Sequence, residues 1–82
     1  MPAVTVLYFA SVRDRIGRDH DIVELPTRTS DRAVLDTIAR LRPEAADLLA
    51  ACRLAVDHAF VSGAIELGLT SEVAVIPPVS GG

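Results

Sequence analysis

The residues with chemistry to offer stand together at the end of the sequence, where Pro77, Pro78, Val79, Ser80, Gly81 and Gly82 close the 82-residue chain. Two prolines fix φ and remove two N–H donors, so a strand running into them stops at Ile76 and no helix starts there. Beyond them the side chains shrink to a serine hydroxyl and then to nothing, and the distinctive group is the α-carboxylate of Gly82. Gly is about 7% of residues on average, so two of them close a chain by chance in roughly 0.5% of cases. The ending therefore reads as a thin tail whose carboxylate is the reagent. Without Cβ atoms, Gly81 and Gly82 pass through a channel that rejects larger side chains and let a nucleophile approach the acyl carbon. Pro77 and Pro78 reduce the freedom lost when the tail docks. With an ordinary pKa of about 3.3 to 3.7 the carboxylate is ionised at neutral pH, a poor electrophile until something converts it.

The rest of the chain offers no rival. Cys52 is the single cysteine, so no internal disulfide and no thiol pair for a metal exists; among Leu48, Leu49, Ala50, Ala51 and Leu54 it reads as a small buried hydrophobe. His20 and His58 have no second ligand at metal spacing and read as turn residues. The sequence holds no nucleophile–base pair, phosphate loop or metal cluster, and no stably bound cofactor is expected. A net charge of −3 lacks the basic stripe of nucleic-acid domains and suits a basic protein partner. Met1, Pro2 and Ala3 lead straight into Val4 with no signal peptide or membrane span, so a cytoplasmic protein is expected.

Residues 1–76 form the one domain that must position this tail, residues 77–82. Val4 to Phe9 is the strongest strand signal, with Val4, Val6 and Tyr8 inward and Thr5, Leu7 and a partly exposed Phe9 on the other face. Ala10 to Ile16 suits one or two helical turns ended by Gly17. Residues 18–21 read as a turn and Ile22 to Leu25 as a second strand stopped by Pro26. From Thr29 or Ser30 as N-cap a helix runs to about Leu41, burying Val34 or Leu35, Ile38 and Leu41. Pro43 opens a shorter helical segment over 44–51, with Ala45, Leu48 and Leu49 packing back. Leu54 to Val56, a tight Asp57–His58 turn and Phe60–Val61 make a hairpin. Residues 62–71 read as a compact loop anchored by Ile65, Leu67 and Leu69, and Glu72 to Ile76 as the last strand, with Ala74 and Ile76 opposite Val73 and Val75. The order predicts a mixed α+β domain with its main helix across one face of a single sheet. Phe9, Phe60 and Ile76 then face away from the helix as an apolar patch beside the tail, with Arg13 at its rim.

The opening Val6-Leu7-Tyr8-Phe9-Ala10 with Val12 and Arg13, then Ala55-Val56, Glu72 to Ile76 and the closing Pro-Pro-Val-Ser-Gly-Gly resemble the small subunit of molybdopterin synthase, over essentially the full length. A bare Gly-Gly is shared by other ubiquitin-like sulfur carriers; the six-residue ending is typical of the molybdopterin branch. Two turns depart from the family pattern: Leu69, Thr70 and Ser71 stand where members commonly have an acidic Gly-Asp turn, and Asp57 where many have Asn. The resemblance implies a β-grasp fold and a chain that is not a catalyst alone. It implies that an E1-like enzyme adenylates Gly82 with ATP, giving a transient acyl-AMP. A persulfide donor then leaves a thiocarboxylate, and the tail delivers sulfur to cyclic pyranopterin monophosphate in the large subunit of a heterotetrameric synthase. It points to the same tail and to Phe9, Arg13, Phe60 and Ile76 as partner-binding residues. Carriers for thiamine or cysteine biosynthesis, a ubiquitin-like modifier joined to lysines and a passive binding module are the alternatives.

Overall fold

The structure, a computed structural model, describes residues 1–78; the expectations for Val79, Ser80, Gly81 and Gly82 fall outside them. Strand β1 (Ala3–Tyr8) alternates as its sequence requires, with Val4, Val6 and Tyr8 buried. Phe9 leaves the strand as the extended N-cap of α1 (Ala10–Ile16), and Gly17 closes that helix with φ +82°, its N–H donating to the Arg13 carbonyl at 2.8 Å. A left-handed residue is what this C-terminal turn requires, and Gly takes it without a Cβ clash.

Strand β2 (His20–Glu24) pairs antiparallel with β1, Val6 opposite Asp21 and Leu7 opposite His20. It begins two residues earlier than its apolar run suggests, so His20 is a strand residue, and Leu25 lies beyond the strand yet is buried. The cause is Asp21, which looks like a turn residue in sequence but is 6% exposed and points inward. Its carboxylate accepts from the Tyr8 Oη at 2.7 Å and from the Arg42 Nε and Nη2 at 2.8 and 2.7 Å. A buried carboxylate is tolerable only with such partners. The Arg42 hydrogen bonds, aided by that from Tyr8, hold the Asp21 carboxyl below the usual carboxylate range against the opposing effect of burial. Burial and the same carboxylate push the Tyr8 hydroxyl well above its ordinary value.

Strand β3 (Arg28–Ser30) leads into the main helix α2 (Asp31–Leu41), where Ser30 Oγ accepts from the Ala33 N–H at 3.1 Å and caps the first turn. Val34, Leu35 and Ile38 are buried, but Leu41 is 48% exposed. At this end of the helix it is the C-cap, Arg42, that reaches inward to Asp21. A 3-10 turn (Pro43–Ala45) and α3 (Ala46–Leu49) bury Ala45 and Leu49. Strands β4 (Arg53–Val56) and β5 (Ala59–Val61) form a hairpin whose Asp57 and His58 both have positive φ, +48° and +72°. That pair of left-handed residues matches the right-handed twist of the flanking strands. Asp57 is further fixed by its carboxylate, which accepts from the Glu72 N–H at 2.9 Å.

Residues 62–71 are not wholly a loop. Strand β6 (Ala64–Glu66) pairs with β3 in a separate two-stranded sheet, and Ile65 and Leu67 are buried while Leu69 is 83% exposed. The single sheet expected from sequence is therefore two sheets among the described residues. Strand β7 (Glu72–Ile76) lies between β1, to which it is parallel, and β4, to which it is antiparallel. The main sheet has order β2-β1-β7-β4-β5. Val73 and Val75 join the core with Leu54, Ile38 and Val34, and the sheet's other face is left open. This is the β-grasp arrangement.

Candidate docking face and tail exit

Alternation decides what the open face carries. On β7 it is Glu72, Ala74 and Ile76; on β1, Thr5 and Leu7, with Phe9 just past its end. Register then draws one row across four strands: Leu7 opposite Ala74, Ala74 opposite Ala55, and Ala55 opposite Phe60. The small side chains at its centre leave a shallow hollow of about 300 Å³, walled by Phe9, Phe60, Ile76 and Leu7, with His58 and Glu72 at its other margin. Ile22 on edge strand β2 extends the apolar surface and is 60% exposed. Phe9 and Phe60 are 41% and 57% exposed, large for aromatic side chains with a core available to take them.

The central strand points this face at the tail. Ile76 is the last residue of β7, opposite Arg53 on β4, and Pro77 and Pro78 follow at once. Whatever docks on the open face lies beside the start of the tail. Arg53 places its guanidinium 4.2 Å from the Phe60 ring centroid, a cation–π contact that steadies both.

The structure thus gathers Phe9, Phe60 and Ile76 around one hollow on one face. Arg13 is exposed on α1 and does not line the hollow. Sequence reasoning passed over Ala55, Ile22 and Arg53; Leu7 and Ala74 had been placed on the outward face by alternation. The apolar strand signal starts at Leu54, whereas β4 starts at Arg53, so the pattern does not single out that arginine. Cys52 is buried with its Sγ donating to the Leu48 carbonyl at 3.2 Å, and burial raises its thiol pKa. No group of three or more potential metal ligands exists among the described residues. A second hollow of about 400 Å³ lies on the small sheet, between Arg28, Thr29, Ala64, Ile65 and Glu66, away from any reactive side chain.

Fold and face together define a β-grasp protein whose central strand ends at Ile76, at the edge of an open apolar surface, with Pro77 and Pro78 next in the chain. The chain belongs to the ThiS family, whose model matches residues 6–82. It is 41% identical, over 99% of its length and 95% of the relative's, to the molybdopterin synthase sulfur carrier subunit of Mycosarcoma maydis. Among solved structures it resembles small archaeal modifier protein 1 of Methanosarcina acetivorans, with TM-score 0.80 and 18% identity over 100% of this chain and 98% of that one. It also resembles a chain in a complex of subunits 1 and 2 of the molybdopterin-converting factor from Helicobacter pylori, with TM-score 0.67 and 20% identity over 96% and 97% of the two chains. At these identities the structural likeness is one of fold. No helix among the described residues is long and apolar enough to cross a membrane.

Proposed function

We propose that the chain is the sulfur-carrying small subunit of a cytoplasmic molybdopterin synthase. The observation that carries this reading is that the central strand of the open apolar face runs at Ile76 directly into Pro77 and Pro78, which lead the Gly-Gly ending of the sequence. The relatives named as molybdopterin synthase sulfur carrier subunits, from Mycosarcoma maydis and Dictyostelium discoideum, support it, and the two-subunit complex supports a large-subunit partner. In this reading a carboxylate oxygen of Gly82 attacks the α-phosphorus of ATP on an E1-like enzyme. Pyrophosphate leaves and an acyl-AMP forms. A persulfide sulfur displaces AMP, and reduction of the resulting acyl disulfide by a thiol leaves the thiocarboxylate. The open face, with Phe9, Phe60 and Ile76, seats the partner, and Pro77 to Gly82 enter its active site with the sulfur. The chain supplies no acid or base; it supplies sulfur and aim.

Reconstitution distinguishes this pathway from the other carriers. Thiocarboxylated protein incubated with a molybdopterin synthase large subunit and cyclic pyranopterin monophosphate is expected to yield the dithiolene product. Protein lacking Gly82 is expected to yield none. Absence of product from the thiocarboxylated chain would contradict the molybdopterin assignment and leave a carrier for thiamine or cysteine biosynthesis as the reading.

A further inference from the structure

An activated C-terminus is an acylating agent, and it travels on a tail attached to its own potential targets. The chain contains no lysine, because all eight of its basic residues are arginines. Guanidinium groups stay protonated at any working pH and are not nucleophiles, whereas an ε-amine is one. The remaining strong nucleophiles are withdrawn. The Cys52 thiol is buried and bonded to the Leu48 carbonyl, and Tyr8 is 1% exposed with its hydroxyl committed to Asp21. Among the described residues the Ser71 hydroxyl donates to a carboxylate, Asp57 Oδ2 at 3.4 Å, but Ser71 is itself buried, and an acyl group taken by His20 or His58 returns to water, since acyl-imidazoles hydrolyse.

The α-amine is kept away by topology. Because β1 is parallel to β7 with Thr5 beside Glu72, the chain upstream of β1 lies at the end of the sheet opposite Ile76. Met1 is four residues before Thr5 and Ile76 four after Glu72, so the two stand about 26 Å apart along the strands at ~3.3 Å per residue. The six residues from 77 to 82 span at most about 21 Å even when fully extended.

We infer that this chain is built to give its activated terminus away and not to capture it: it has no lysine, and among the described residues no exposed side chain is a stable acyl acceptor. The inference rests on the proposed activation of Gly82 for its biological meaning, but the chemistry is tested without any activating enzyme. The probe is the full 82-residue chain prepared as a C-terminal mercaptoethanesulfonate thioester at Gly82, at micromolar concentration and mildly alkaline pH, followed by intact mass. The variant is Arg53→Lys, which places an amine on an exposed position opposite Ile76, at the root of the tail. There the neutral amine attacks the Gly82 carbonyl carbon, the C–S bond breaks with its electron pair leaving as thiolate, and the nitrogen's proton goes to buffer. The product is an internal amide, lighter by one thiol.

A tethered amine experiences an effective concentration on the order of millimolar, so R53K should form this product at least roughly 100-fold faster than any amide forms between copies. Wild type and R53Q, which removes the cation and its Phe60 stack without adding an amine, should show hydrolysis only. An internal amide in wild type, or none in a folded R53K, would overturn the inference. Neither outcome bears on whether Gly82 carries sulfur in the cell, which is read separately by reconstitution.

Discussion

Ala74→Glu is expected to weaken binding to the synthase large subunit by at least about 100-fold, roughly 3 kcal/mol, while leaving the fold intact. Ala74 sits at the centre of the open face, opposite Leu7 on one side and Ala55 on the other, and its side chain points away from the core. In the free chain a carboxylate there is hydrated; in a complex seated on the hollow it is desolvated against Leu7, Phe9 and Phe60, with the nearby Arg53 guanidinium already stacked on the Phe60 ring, which is costly. Phe60→Ala should act in the same direction by about 2 kcal/mol, since exposed aromatic anchors carry much of an interface's energy. Leu41→Glu is the control, because Leu41 is an exposed apolar residue on α2, across the sheet from this face. Titration calorimetry checks all three, with circular dichroism to show that they fold. Equal affinities for A74E and wild type, or a loss in L41E, would place the docking surface elsewhere.

Asp21→Asn is expected to cost about 3 kcal/mol of folding stability. The substitution is nearly isosteric, but it removes the charge that Arg42 and Tyr8 were arranged around and leaves the Arg42 guanidinium, whose side chain is 23% exposed, without its counter-ion. Tyr8→Phe, which removes one neutral donor and leaves the ion pair, should cost about 1 kcal/mol. The pH dependence carries the sign. The Asp21 pKa is lower in the folded protein than in the unfolded chain, so its contribution is fully present above the unfolded value of about 3.9 and disappears as pH falls through the folded value. Urea titrations between neutral pH and acid should therefore show the gap between wild type and D21N narrowing below about pH 4. A gap that is small at neutral pH, or that does not close in acid, would show that the network does not hold β2 to the end of α2. This network also fixes Tyr8, the residue before Phe9, so it holds one wall of the docking hollow indirectly.

How much of this was legible in the sequence depended on whether a residue's role is local. The last strand could be bounded at Glu72–Ile76 because two prolines end it, and α1 and α2 because Gly17 and Ser30 are local stop and start signals. The outward positions of Leu7, Phe9, Ala74 and Ile76 followed from period-two geometry alone. What was not legible required a partner distant in sequence. Asp21 joins a strand only because Tyr8 and Arg42 reach it from 13 and 21 residues away. Strands β3 and β6 have three residues each, too few to show alternation, and are defined by each other. Leu69 was expected inward because its loop supplies two other anchors, yet the chain turns before burying it. The docking face itself was partly visible, but its row of Leu7, Ala74, Ala55 and Phe60 is a property of strand register, and the parallel placement of β7 between β1 and β4 is set by tertiary packing.

The central claim is that Gly82 carries sulfur, and the most direct measurement is the intact and peptide-level mass of the chain isolated from its native cell while the pathway is active. The account predicts a fraction of molecules heavier by the exchange of one oxygen for sulfur, with the change confined to the peptide ending at Gly82. A terminus that is never sulfurated, or one recovered joined to lysines of other proteins in place of a thiocarboxylate, would contradict it.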